Sequence, residues 1–205
     1  MSNTKRLFLL DAFALIFRGY YAFIKNPRIN SKGLDTSAIL GFTNSLLDVI
    51  KREKPDYMAV CFDRGGSISR TEIFSEYKAN RQETPEAIKI AVPIIENILH
   101  AMKIPSVILE GYEADDIIGT LAKKAEKEGL KTFMVTPDKD FAQLVSENIF
   151  MYRPRFGGGY ETWGIAEVQE KFGVEKPKQV IDFLGMMGDS VDNIPGLPGV
   201  GEKTA

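Results

Sequence analysis

Five short runs rich in Val, Ile, Phe and Leu lie at 6–10, 57–62, 106–109, 132–135 and 149–152, and none alternates with polar residues. A strand with one wet face alternates, so uninterrupted apolar strands belong to a sheet covered on both faces. Between the runs, residues 36–53, 86–102, 113–128 and 138–144 place apolar side chains at intervals of three and four. That period is helical, with Thr36 suited to cap the first segment and Gly129 to close the third. Strands alternating with helices predict an α/β fold with a mostly parallel central sheet and helices on both faces. This pattern covers residues 1–163. From 164 to 205 it becomes helical only, at 165–172 and 177–187, and ends in a Pro/Gly-rich stretch at 193–201. Two connections break the rhythm. Residues 64–85 form a long polar link of the kind that usually carries function, and Gly157 to Gly159 mark a turn.

Several function classes are excluded. No apolar run approaches the ~20 residues of a membrane span. The start lacks the apolar core and cleavage site of a secretion signal. The single cysteine, Cys61, cannot form an internal disulfide, which fits a reducing cytoplasm, and its apolar surroundings predict a buried small residue. One cysteine and one histidine, His100, cannot build a zinc site of the usual composition. No phosphate-binding loop of the Gly-x-x-x-x-Gly-Lys-Ser/Thr type is present.

Ligands of parallel α/β sheets bind beyond the carboxyl ends of the strands. Acids gather at that edge. Asp11 follows the first run, Asp63 the second, Glu113 the third, and Asp138 and Asp140 the fourth; Asp189 and Asp192 follow the helix ending at 187. Each alone reads equally well as a helix cap, and Glu113, Asp115 and Asp116 equally well as acids complementing a helix dipole. Independent caps need not recur along one edge, however. Converging carboxylates repel unless neutralised, and oxygen-only ligands suit Mg²⁺ or Mn²⁺. Paired ions of this kind serve phosphodiester cleavage by activating water and stabilising the leaving oxygen.

These segments are familiar in combination: Leu10-Asp11 with Arg18 and 20–22 (YYA), Phe62-Asp63, 77–81 (YKANR), 111–119 (GYEADDIIG), 136–140 (TPDKD), 187–196 (MGDSVDNIPG) and 199–205 (GVGEKTA). Their shared order and spacing resemble the flap endonuclease family, in particular the 5′ nuclease domain of bacterial DNA polymerase I, over essentially the whole chain. The resemblance implies a metal-dependent 5′-3′ exonuclease or 5′-flap endonuclease acting on DNA, as in primer removal and repair. It implies one metal group of Asp11, Asp63, Glu113, Asp115 and Asp116. A second comprises Asp138, Asp140, Asp189 and Asp192, some acting through water, with Asp138 shared. Two or more Mg²⁺ or Mn²⁺ ions would be held. Lys78 and Arg81 would contact the scissile phosphate, and residues 64–85 would belong to a helical arch over a single strand. Tyr20 and Tyr77 would stack on a splayed base, with Arg70 and Lys203 among the DNA contacts. Gly196, Gly199 and Gly201 resemble the turn of a helix-three-turn-helix that grips duplex backbone, with a monovalent cation such as K⁺. One departure is Ala12, where the family usually has Gly. Another is the end at Ala205, where that second helix should begin. The resemblance therefore implies a fragment of a longer protein fused to a polymerase, acting as a monomer on DNA and on RNA primer strands, away from membranes.

The formal charge of −2 does not oppose this reading. Setting the nine proposed ligands aside leaves 19 of the 28 acidic residues against 26 basic ones, so the remainder carries +7. Two alternatives stand beside the nuclease. One is an incomplete fragment that binds metal and DNA without cutting. The other is a related ribonuclease with an acid-edged fold, against which the Gly/Pro-rich tail argues.

Overall fold

The structure, a computed structural model, describes residues 4–155 and 157–205. Strand β1 (Arg6–Asp11) leads into helix α1 (Ala12–Ala22) and, after a polar loop, α2 (Ser37–Glu53). Strand β2 (Tyr57–Phe62) is followed by the short α3 (Ile68–Ile73) and then α4 (Glu86–Ala101). Strand β3 (Ser106–Ile108), α5 (Ala114–Lys127) and β4 (Lys131–Val135) complete the central units. A 3₁₀ helix (Lys139–Leu144) precedes the hairpin of β5 (Ile149–Pro154) and β6 (Tyr160–Trp163). Helices α6 (Ile165–Phe172) and α7 (Val180–Met187), the latter preceded by a 3₁₀ turn, follow.

The six strands lie in the order β3-β2-β1-β4-β5-β6. All pairs are parallel except β5 with β6. The order reverses at β1, which pairs with β2 on one side and β4 on the other. Such a switch point opens a crevice at the strands' carboxyl ends. Alternate residues of each strand feed two cores, as the absence of polar alternation predicts. Phe8, Leu10, Val60 and Phe62 join buried residues of α1, α2 and α4 on one face. Leu9, Cys61, Met134 and Met151 join α5, α6 and α7 on the other. Burial, with the nearby Asp11 and Asp63 charges, pushes the Cys61 thiol up to about 12, so it stays protonated and serves packing. His100 is exposed on α4.

Three elements depart from the sequence pattern. Helix α1 shows no polar stripe because it lies between sheet and α2, with Leu15, Ile16 and Gly19 buried. The 138–144 helix is 3₁₀ and begins at Lys139, since a run this short gains little from α-helical propagation. Residues 160–163 form the return strand of a hairpin around the 157–159 turn. At its start α2 lacks a hydroxyl cap: Thr36 Oγ1 donates to the Arg28 carbonyl at 2.6 Å, and Asp35 instead accepts from the Ser37 amide at 2.8 Å. Gly129, at φ 76°, follows the last turn of α5 as expected.

Helices α1 and α2 cross where Gly19 meets Gly41. A Cβ on Gly41 would lie 2.3 Å from Gly19 Cα, backbone against backbone. No side chain there can swing aside, so Gly41→Ala must push the helices apart. We expect a loss of about 2 kcal/mol or more in denaturant unfolding; a loss within 0.5 kcal/mol, roughly the level of a surface substitution, would contradict this packing.

Candidate active site

Four of the acids are fixed by a local backbone need: Asp11, Asp63, Asp138 and Asp189. Asp11 ends β1 and caps α1, accepting from the Ala14 amide at 3.1 Å. Its other oxygen accepts from the Thr136 hydroxyl at 3.0 Å. Thr136 is fully buried and also accepts from the Asp138 amide at 3.2 Å, so one hydroxyl ties the ends of β1 and β4 together. Asp63 accepts from the Ala114 amide at the start of α5. Asp138 accepts from the Asp140 amide at 3.0 Å and caps the 3₁₀ helix. Asp189 accepts from the Val191 amide at 2.7 Å. The cap reading and the site reading are therefore both true of these residues: the caps aim the carboxylates.

Eight of the nine sequence-predicted acids border one cavity of about 370 Å³: Asp11, Asp63, Glu113, Asp115, Asp138, Asp140, Asp189 and Asp192. Asp116 does not. It accepts from the Glu113 amide at 3.1 Å and takes a two-pronged contact from Arg70, at 2.8 Å on each oxygen. Burial would raise Asp116, but the Arg70 fork and the amide outweigh it and hold the carboxyl below its ordinary range. It is a neutralised acid behind the cavity wall.

The acids divide by their partners. Glu113, only 2% exposed, takes Lys78 Nζ at 2.7 Å, and the Tyr77 hydroxyl lies 3.0 Å away. Asp192 pairs with Arg81, with Lys78 Nζ at 3.8 Å. No such cation touches Asp11, Asp63, Asp115, Asp138 or Asp140 among the described residues. Burial pushes Asp11 up to about 6, helped by Asp63 and Asp138. Burial, then Asp11, Asp138 and further neighbours, push Asp115 up to about 7. Asp140 rises to about 6 through burial and Asp138, and Asp63 and Asp138 rise as well, burial first. One buried oxygen, Asp140 Oδ1, has no hydrogen-bond partner, and the Asp115 carboxylate accepts none among the described residues. Five crowded carboxylates short of positive charge are what a hard divalent cation satisfies. No three of them close into direct ligands for one ion among the described residues.

The segment carrying the cations is docked on the 189–194 loop. The Lys78 amide donates to the Asp192 carbonyl at 2.9 Å, Asn80 to the Ser190 carbonyl at 2.7 Å, and Asn193 to the Glu76 carbonyl at 2.8 Å. Lys78 and Asn193 hold φ of 59° and 60°, a left-handed conformation that non-glycine residues keep only when their surroundings enforce it. The loop is closed by two amide–carbonyl bonds between Asp189 and Ile194, at 2.9 and 2.7 Å.

Other sequence candidates fall differently. Tyr20 is half-buried and packs on the first core; Phe13 and Phe17 of the same helix are the aromatics that border the acid cavity. A signal was available, since Phe13 and Phe17 stand two and six residues after Asp11 on an expected cap. Thr136 was overlooked because a lone threonine after a strand carries no signature. The Tyr77 hydroxyl is held by Glu113 and Asp192, and Arg70 by Asp116. Gly196 is required by packing: a Cβ there would meet the Met187 carbonyl oxygen at 2.3 Å. Gly199 (φ 81°) and Gly201 face open space, and Lys203 is exposed, so the turn's outer surface is accessible.

Two outcomes are expected. A carboxyl whose folded pKa is raised gives stability that is full below the unfolded value near 4 and is lost as pH rises through the folded value. For Asp11, Asp115 and Asp140 that window runs from about 4 to about 7. In EDTA, melting temperature should fall across this window, and Asp115→Asn should raise it by a few °C at pH 8. A variant no more stable than the parent there would remove the repulsion argument. Secondly, Thr136→Val should destabilise by about 1–3 kcal/mol by stranding an Asp11 oxygen and the Asp138 amide. A neutral effect would show that this hydroxyl ties nothing.

Comparison with known proteins agrees with this geometry. Residues 6–173 match the family described as 5′-3′ exonuclease, N-terminal resolvase-like domain, and residues 175–205 match 5′-3′ exonuclease, C-terminal SAM fold. The chain is 42% identical over 201 residues to a 5′-3′ exonuclease of Aquifex aeolicus (strain VF5), covering 98% of this chain and 68% of that protein. It is 44% identical over 207 residues to DNA polymerase I of Bacillus subtilis (strain 168), covering 100% of this chain but only 23% of the polymerase. Among solved structures, T5 5′-exonuclease with bound zinc has a TM-score of 0.77 at 22% identity, over 98% of this chain and 73% of that one. T5 D15 flap endonuclease in a complex with DNA and metal ions has a TM-score of 0.74 at 23% identity, over 97% and 72%. At that identity the structures establish a shared fold, while the sequence matches carry the kinship. The chain belongs to the 5′-3′ exonuclease family, the group that includes the 5′ nuclease region of DNA polymerase I.

Proposed function

We propose that the chain hydrolyses phosphodiester bonds of DNA near 5′ ends and at 5′ flaps, in a reaction that depends on Mg²⁺ or Mn²⁺. The observation that carries the reading is a set of six cavity carboxylates without a paired protein cation among the described residues, Asp189 besides the five crowded ones, facing Lys78 and Arg81 across one cavity. Asp11, Asp63, Glu113 and Asp115 would hold one ion, and Asp138, Asp140, Asp189 and Asp192 would contribute to a second. Bound there, divalent cations activate water and stabilise charge on the leaving oxygen.

The chain's own groups position the phosphate. Lys78 and Arg81 now neutralise Glu113 and Asp192. A phosphate entering the cavity competes for the same two cations, and Glu113 and Asp192 are then free to serve the ions. Charge is thereby exchanged within the site, and no carboxylate need be left bare. Lys78 and Arg81 then meet negative charge as it builds on the phosphate oxygens, which is where fixed donors accelerate a reaction most. Phe13 and Phe17 offer an apolar wall beside the reacting phosphate, suited to the face of an unpaired base. The open turn at Gly199 and Gly201, with Lys203, would hold duplex backbone with a monovalent ion such as K⁺. RNA primer strands present the same phosphodiester chemistry to the cavity. Action as a monomer in the cytoplasm, joined to a polymerase, completes the reading. Neither the binding-only fragment nor the ribonuclease is favoured by any particular contact.

The test is a labelled 5′-flap duplex incubated with the chain in Mg²⁺ and, in parallel, in EDTA. Short products released from the 5′ side only with Mg²⁺ are expected. Lys78→Ala should lower the rate about 10²–10³-fold, the usual cost of removing one transition-state donor. Cleavage that persists in EDTA, or a Lys78→Ala variant at parental rate, would refute the assignment.

A further inference from the structure

A second cavity, about 640 Å³, adjoins the acid cavity and has no part in the chemistry above. It runs between α5 and the 3₁₀ helix. The two cavities share Asp115, Asp140 and Asp192 as a common border. Tyr77 and Lys78 stand between them: Tyr77 borders the second cavity and Lys78 the acid one. Anything bound across the shared acids therefore extends from one side of the docked 74–81 segment to the other.

Composition changes along this groove. At the shared end are the acids and Arg70; the far end carries Lys123, Lys124 and Lys127 of α5. Asp116, Thr120, Lys123 and Lys127 recur at four, three and four, so they line one face of the helix. From Asp116 to Lys127 the face is about 16 Å long at 1.5 Å per residue. Lys123 Nζ reaches the Leu144 carbonyl and Glu126, each at 3.3 Å, across the groove's end. Lys124 and Lys127 are exposed and have no acidic partner within 4.0 Å among the described residues. Phe141, Leu144 and Ile194 supply an apolar lining, with the Tyr77 ring at the entrance. Gly119 lets α5 run close to the opposite wall, since a Cβ there would stand 3.2 Å from Leu144 Cδ1.

Lysines at one end of a slot, with the Tyr77 ring at the other and the Leu144 and Ile194 side chains along it, suit a single nucleic-acid strand, whose phosphates seek the cations and whose bases seek the aromatic and apolar faces. A solvated lysine face would need neither the cavity nor its junction with the acids. We propose that this groove carries the single-stranded 5′ segment of the DNA as it leaves the acid cavity, with Lys124 and Lys127 on its phosphates. The inference rests on the nuclease reading and adds to it the path of the strand beyond the cut.

The test is binding by fluorescence anisotropy with Ca²⁺ as the divalent ion. Two probes are compared: a duplex bearing a 5′ flap of about ten nucleotides, within the range a single-strand groove accommodates, and the same duplex without a flap. For Lys124→Ala/Lys127→Ala we expect about tenfold weaker binding of the flapped duplex at low salt, and a shallower salt dependence by about 1.4 in log–log slope, two single-strand contacts' worth. Binding of the flapless duplex should not change. Unaltered flap binding, or equal weakening on both probes, would overturn the groove. A parent chain that binds neither probe would overturn the nuclease reading beneath it, which separates the two failures. Both lysines are exposed, so a matching circular dichroism melt serves as the fold control.

Discussion

The arrangement turns on repulsion among buried carboxylates at the point where the strand order reverses. Asp11 ends β1 and Asp138 follows β4, neighbouring strands whose helices depart to opposite faces. The crevice that results is lined by whatever caps those helices, and in this chain the caps are acids. Burial makes their charges expensive, and nearness makes each raise the others. The fold tolerates this because Asp11, Asp63 and Asp138 are also needed locally, by an amide or by Thr136. Stability and function thus pull on the same residues in opposite directions, as at many sites where strain is retained for use.

Three cations of the 64–85 connection resolve part of the conflict. Arg70 neutralises Asp116, Lys78 neutralises Glu113, and Arg81 neutralises Asp192. The Arg81–Asp192 pair, with the Lys78 amide, Asn80 and Asn193 contacts, also holds residues 74–81 on the 189–194 loop, linking the segment after β2 to the one after α7. Partly buried pairs of this kind contribute little net stability because desolvation offsets attraction. On the proposed function, the Lys78–Glu113 and Arg81–Asp192 pairs serve by exchange: a phosphate and divalent ions would replace both members of each without leaving a charge alone. Lys78 keeps its left-handed φ of 59° within this docked segment.

Much of this was legible in the sequence. Unalternating apolar runs at 57–62 and 132–135 fixed a sheet covered on both faces, and the acids after each run fixed the reactive edge. The resemblance then named Lys78 and Arg81, which no periodicity could separate from a solvated helix face. Other features were not legible, for physical reasons. Helix α1 carries aromatics (Phe13, Phe17, Tyr20, Tyr21) on its partly exposed side as well as apolar residues on its buried face, and so shows no amphipathic stripe. The placement of Asp116 outside the cavity depends on Arg70, a contact 46 residues distant in sequence. The need for Gly196 comes from backbone packing on Met187, although a glycine in a Pro/Gly-rich tail reads most simply as a turn. Thr136 matters through two hydrogen bonds that only the folded sheet brings together.

The central claim is that the crevice holds carboxylates short of positive charge, which divalent cations supply. Calorimetric titration of the chain with Mn²⁺ at a pH near 6.5, repeated in buffers of different ionisation enthalpy, tests it most directly. Carboxyls with folded values near 6 to 7 are partly protonated there, so binding must release protons. The account predicts saturable binding with proton release, both diminished in Asp115→Asn. Binding without proton release, or an Asp115→Asn variant that titrates like the parent, would contradict it.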